Sequence, residues 1–87
     1  MIVGHVRGKV QGVWFRRHVA DAALREGVSG HARNLPDGSV EVLLAGAEGA
    51  VARVRAAVEE GPPRSRVVSV TWRPAGEMPS PQGFEVL

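Results

Sequence analysis

The chain has no cysteine. Disulfides, thiolate zinc sites and a cysteine nucleophile are therefore excluded, and the fold must hold on packing alone. Tyrosine is also absent, and Lys9 is the single lysine among eleven basic residues. With so little to titrate between neutrality and the arginines, a net charge of only +2 drives the calculated pI to 10.4. That pI is not the mark of a nucleic-acid binder. The arginine skew fits an arginine-rich or a heat-adapted proteome equally. Long apolar runs are missing as well. The opening Met1-Ile2-Val3-Gly4-His5-Val6-Arg7 is too short for a signal peptide, and no stretch approaches the roughly 20 apolar residues of a membrane span. The expected compartment is the cytoplasm. The expected organisation is one domain over residues 1–87, short enough to bury only about 60–65% of its unfolded surface.

What is present alternates in a readable way. Residues 2–10 carry Ile2, Val6 and Val10 on one parity and His5, Arg7 and Lys9 on the other, which predicts a strand in a sheet with one wet face. Gly8 and Gly12 bracket a loop from Lys9 to Phe15. Helical spacing of Phe15, Val19, Ala22, Ala23 and Glu26 predicts a helix over 16–26, stopped by Gly27. Short strands at 29–35 and 39–46 are joined by Leu35-Pro36-Asp37-Gly38, with Val40, Val42 and Leu44 inward. Ala47, Val51, Val54 and Val58 make the stripe of a second helix over 48–60, ended by Gly61-Pro62-Pro63. A strand at 66–73 should turn Val68, Val70 and Trp72 to one face. After a polar loop from Pro74 to Gln82, a last strand at 83–87 should turn Phe84 and Val86 inward. The expected fold is therefore α+β: a ferredoxin-like β-α-β-β-α-β sandwich, with an antiparallel sheet, two helices on one face and a short C-terminal strand.

The chemistry gathers between the first strand and the first helix, in Gly8-Lys9-Val10-Gln11-Gly12-Val13-Trp14-Phe15-Arg16. A glycine-punctuated loop there can turn several backbone N–H groups inward, and the helix start adds its own unpaired N–H groups and partial positive charge. Together these make a phosphate cradle. Arg16 enters as the helix begins, where a guanidinium can fork two phosphate oxygens. The loop lacks the Gly-Lys-Ser/Thr of a Walker A motif and the cysteine of a phosphotyrosine phosphatase loop. A cradle without a side-chain nucleophile points to water as the attacker, or to binding without reaction. Pattern alone leaves Arg16 equally readable as a surface residue, and Asn34, just ahead of Pro-Asp-Gly, as a turn former.

Two stretches resemble signatures of the acylphosphatase family. Gly8-x-Val10-Gln11-Gly12-Val13-x-Phe15-Arg16 looks like the first. Gly30-x-Ala32-Arg33-Asn34-x-x-x-Gly38-x-Val40, closed by Gly46, looks like the second. Both stand in the family's order and separation, and the resemblance extends to Gly61-Pro62 and the aromatic residue of the last strand. It implies hydrolysis of the carboxyl–phosphate anhydride bond. Arg16 corresponds to the phosphate-binding arginine, Asn34 to the asparagine that orients the attacking water, and the backbone of Gln11, Gly12, Val13, Trp14, Phe15 and Arg16 to the cradle. No metal or other cofactor is implied. The implied partners are a small acyl phosphate and inorganic phosphate, as product and inhibitor, with neither nucleic acid nor membrane and a monomeric state. His31 departs from the family, which usually has an aromatic residue there. By strand parity it faces away from Asn34, so the expected consequence is local repacking.

The alternative is a non-catalytic ferredoxin-like module that binds phosphate or RNA, or regulates. RNA binding on such a sheet uses exposed aromatics, and the first strand offers His5, Arg7 and Lys9 instead. An acylphosphatase-like segment of a larger carbamoyltransferase-maturation machine is a further rival, against which the short chain argues. His5, His18 and His31 lack metal-ligand spacing and read as solvated or satisfied. No Ser-His-Asp arrangement is recognisable, and no pocket for the acyl part is apparent.

Overall fold

A computed structural model describes all of residues 1–87. The elements are β1 (Ile2–Lys9), α1 (Phe15–Glu26), β2 (Ser29–Asn34), β3 (Val40–Ala45), α2 (Glu48–Glu60), β4 (Arg66–Pro74) and β5 (Phe84–Val86). They form one sheet in the order β4-β1-β3-β2-β5. The first four strands pair antiparallel, as expected, while β5 joins β2 in parallel. The sheet is thus mixed at that edge.

Alternation does the sorting. Val6, Ala32, Val40, Val42 and Leu44 pack with Phe15, Val19, Ala22 and Ala23 of α1 and with Ala50, Val54 and Val58 of α2 in one core. Each such side chain contributes about 1.5–3 kcal/mol of burial if large. Phe15 is 1% exposed. It anchors the start of α1 and thereby aims the residue that follows it, Arg16.

Four expectations need correction. Val68 turns outward, and Val67 packs against the core in its place. The cause is a register shift between Arg7 and Gly8, where Arg7 faces Ser69 but Gly8 faces Val67. An extra residue in one strand flips the parity that follows. Gly8, at φ 131°, lets the strands close up there; a Cβ would lie 2.0 Å from the Arg66 carbonyl oxygen. Ala47 caps α2 and is exposed, so Ala50 takes the inward place. The face away from the helices is not wholly wet, because Val3 and Leu43 are buried there under Ala75 and Met78 of the loop after β4. Val86, expected inward, is 46% exposed.

Candidate active site

α1 begins without a side-chain cap. Trp14 stands at the cap position with no side-chain cap bond, and the first turn holds no acidic residue. The first amide to turn back is that of His18, which donates to the Trp14 carbonyl oxygen. The N–H groups ahead of it are the ones a helix leaves without internal acceptors. Gly12 at φ 73° and Trp14 at φ 63° give the preceding loop two left-handed steps. Successive turns of this kind bring backbone N–H groups to one concave side, where they can hold an anion.

Val10, Gly12, Trp14, Phe15, Arg16, Arg17 and Val86 line a cleft of about 460 Å³ at this end of α1. Arg16 is half-buried, and its Nη1 donates at 2.5 Å to a main-chain oxygen of Leu87, the last residue of the sequence. Arg17 lies farther out, with its Nε 3.3 Å from Asp21 one turn along the helix.

Asn34 is the last residue of β2 and pairs with Val40. It does not line the cleft, but it borders the same structure. The Leu87 N–H donates to the Ala32 carbonyl oxygen. Ala32 and Asn34 share strand parity, so Asn34 stands one pleat beyond Ala32 on the helix-facing side. Leu87 thus joins the strand that carries Asn34 to the guanidinium of Arg16. The Oδ1 atom of Asn34 is buried and accepts no hydrogen bond within the protein. Such an orphaned acceptor is costly unless something else supplies a donor, and a water molecule fits that need.

Gln11 and Val13 also stay out of the cleft's lining. Val13 is buried in the core. The Gln11 side chain has a part that the sequence reading missed, having assigned only its backbone. Its Nε2 donates to the carbonyl oxygens of Leu35 and Ser39, both at 2.9 Å. This ties the β1–α1 loop to the turn that follows Asn34.

Behind that turn, three residues come together that the sequence reading had not connected. Ser39, only 3% exposed, donates its hydroxyl to Asp37 and lies 2.6 Å from His5 Nε2. In a nucleophilic triad the histidine stands between serine and carboxylate. Here the serine stands in the middle and is buried, so the group braces the turn. The Ser39 hydroxyl, then its backbone N–H, hold the Asp37 carboxyl below the usual carboxylate range against a weaker opposing desolvation, and His5 and Arg7 add still smaller charge effects in the lowering direction.

The remaining histidines are satisfied. His18 donates to the Ala57 carbonyl oxygen. His31 faces away from Asn34, as parity predicts, and meets Glu41 at 2.8 Å beside Arg33 at 3.0 Å. A polar cross-strand cluster therefore occupies the place of the family's aromatic residue. No group of three or more His, Asp or Glu side chains converges with metal-ligand geometry.

This chain is similar to known proteins along its whole length. A model of the acylphosphatase family matches residues 2–86. An acylphosphatase of Chromohalobacter salexigens is 54% identical over 81 residues, covering 93% of this chain and 89% of that protein. One from Halorhodospira halophila is 49% identical over 81 residues, covering 93% and 87%. The crystal structure of acylphosphatase from Bacillus subtilis superposes with a TM-score of 0.89 at 31% identity, covering 100% of this chain and 99% of that one. The match runs through the loop at the start of α1 and the strand end at Asn34, and the chain belongs to the acylphosphatase family.

Proposed function

We propose that this acylphosphatase works by metal-independent attack of water, with Arg16 and the 11–16 backbone holding the phosphoryl group and Asn34 holding the water. The observation that carries the reading is the uncapped start of α1 beside Arg16, together with the unpartnered Asn34 Oδ1 on the adjoining strand. The reaction places few demands on side chains. The departing carboxylate is a weak base, with a pKa of roughly 4, so it needs no strong general acid. The phosphoryl group passes through a loose, metaphosphate-like state, and catalysis rests on positioning and charge stabilisation. Each well-aimed donor to developing charge is worth on the order of 3 kcal/mol.

In this scheme the water oxygen forms a bond to phosphorus as the bond from phosphorus to the carboxyl oxygen breaks. Carboxylate and inorganic phosphate leave. The Asn34 amide orients the water and, being neutral, takes no proton; a phosphate oxygen of the substrate receives it. Arg16 is already oriented by the main-chain oxygen of Leu87, so less of its rotamer freedom is lost when the anion binds.

We also propose that the protein acts as a cytoplasmic monomer on small acyl phosphates, without nucleic acid or membrane. The test is phosphate release from benzoyl phosphate by purified protein in EDTA, with and without added Mg²⁺. Full turnover in chelator, no gain from Mg²⁺ and competitive inhibition by phosphate are expected. Loss on chelation with recovery on adding a divalent ion would refute the scheme. Purely noncompetitive phosphate inhibition would move the phosphate out of the cradle.

A further inference from the structure

Trp14 is 79% exposed, more than any other large hydrophobic residue of the chain. It is also the only non-glycine residue with a positive φ. A bulky aromatic in the left-handed region is strained, and glycine would take that conformation freely. Capping does not account for the choice, because the indole makes no cap bond. Core packing does not account for it either, given the exposure. In the family-like signature this position is unspecified. An exposed, strained aromatic is a sign of function.

Its surroundings say which function. Trp14 lines the 460 Å³ cleft with Arg16, and Val86 of β5, itself 46% exposed, lines it too. Val10 and Phe15 complete the apolar part of the lining. No acidic side chain lines the cleft, and the nearest acceptor to Arg16 is the main-chain oxygen of Leu87. Its one cation besides Arg16 is Arg17, whose charge is already matched by Asp21. The volume is in the range of small-ligand sites and exceeds what a phosphoryl group needs.

We infer that this cleft is an acyl subsite, in which the Trp14 indole and Val86 receive the flat apolar carboxylic half of an aroyl phosphate while Arg16 holds its phosphoryl half. The inference rests on the acylphosphatase reading above and adds the class of acyl group. A ring packed on the indole gains stacking and apolar contact. A methyl group in the same place gains little. An acyl group with a second carboxylate finds only the engaged Arg17.

The test uses phenylphosphonate and methylphosphonate, which carry the same anionic group and are not hydrolysed. Calorimetric titration should give phenylphosphonate an affinity at least about 10-fold above methylphosphonate, the size of one good aromatic contact. Trp14→Ala should bring the ratio close to one, and Trp14→Leu should leave it between. Trp14→Gly should also abolish the preference while raising Tm, because it relieves the strained φ; this separates recognition from folding. The ratio of kcat/KM for benzoyl over acetyl phosphate should fall in parallel. A phenyl preference unchanged in Trp14→Ala and Trp14→Gly would overturn the subsite. Absence of turnover, with a Trp14-dependent phenyl preference intact, would refute the hydrolase scheme and leave the subsite standing.

Discussion

The side-chain amide of Gln11 donates to the carbonyl oxygen of Ser39 across 28 residues of sequence. With the second bond to Leu35, it joins the loop that would hold phosphate to the turn that ends the strand of Asn34. Two segments that the proposed reaction brings together are thus tied to one another by a single uncharged side chain. Neither carbonyl is orphaned if Gln11 is removed, because Leu35 N–H also donates to Ser39 and Gly38 N–H to Leu35. The clamp therefore matters more for position than for stability.

Gln11→Ala should lower Tm by only about 5 °C, the effect of roughly 1 kcal/mol in a domain of this size. It should lower kcat/KM by about 10-fold or more, since small misplacements of reacting groups are expensive. Gln11→Glu should melt lower than the alanine variant, because it points a carboxylate at two carbonyl oxygens. Thermal melts beside benzoyl phosphate kinetics check both. A glutamate variant as stable as the parent would mean that the amide bonds carry no weight.

Arg16→Lys keeps a charge but loses the planar fork. Its kcat/KM should fall at least about 100-fold, as for loss of a main charge-stabilising donor. Arg17→Ala should cost far less, since Arg17 points roughly 100° away on a helix and is paired with Asp21. Steady-state kinetics on both variants decide the matter. Equal damage would show that the wrong arginine has been assigned.

Asn34→Ala should collapse kcat and leave phosphate affinity near its original value, because the unpartnered Oδ1 is assigned to water. Asn34→Asp sharpens the test. If the substrate supplies the base, a carboxylate there only repels the phosphate dianion. If the enzyme needs a base, activity is kept or gained with a new pH dependence in the carboxylate range. Loss of phosphate binding in a folded Asn34→Ala protein would reduce Asn34 to part of the cradle.

Asp37 sets a pH dependence of stability. Its folded carboxyl is held below the ordinary range, chiefly by the Ser39 hydroxyl, so the unfolded chain binds this proton more readily. The stabilisation is fully present above the ordinary value of about 3.9 and is lost as pH falls through the lowered folded value. Asp37→Asn preserves the acceptor facing Ser39 and removes the titration. Its plot of Tm against pH should be flatter below about pH 4. An unaltered acid limb would assign that slope to other carboxylates.

Much of this was legible because alternation and turn chemistry agree. The stripe of α2 and the Pro-Asp-Gly turn place their elements where the structure has them. Arg16 and Asn34 were visible only through the joint signatures, since each alone reads as a surface or turn residue. Val68 was misplaced because a bulge changes parity without any local mark except Gly8. Gln11 could be assigned only its backbone, because its partners come from a turn distant in sequence. The acyl cleft was invisible for a similar reason: Val86 comes to the end of α1 through the pairing of β5 beside β2, and periodicity within a three-residue strand says nothing about its neighbour.

The parallel edge strand has a consequence for how the protein fails. β5 is three residues long and is secured beyond its ladder by the Gly30 N–H to Gly83 and the Leu87 N–H to Ala32. Short edge segments open locally at a fraction of the free energy of global unfolding. Here such an opening withdraws both Val86 and the main-chain oxygen that steadies Arg16. The weakest seam of the sheet therefore runs through the cleft, and reversible heat inactivation should set in below the global Tm. In hydrogen exchange, the amide of Leu87 should lose protection by local fraying at temperatures where those of Val42 and Leu44 are still guarded by the whole fold.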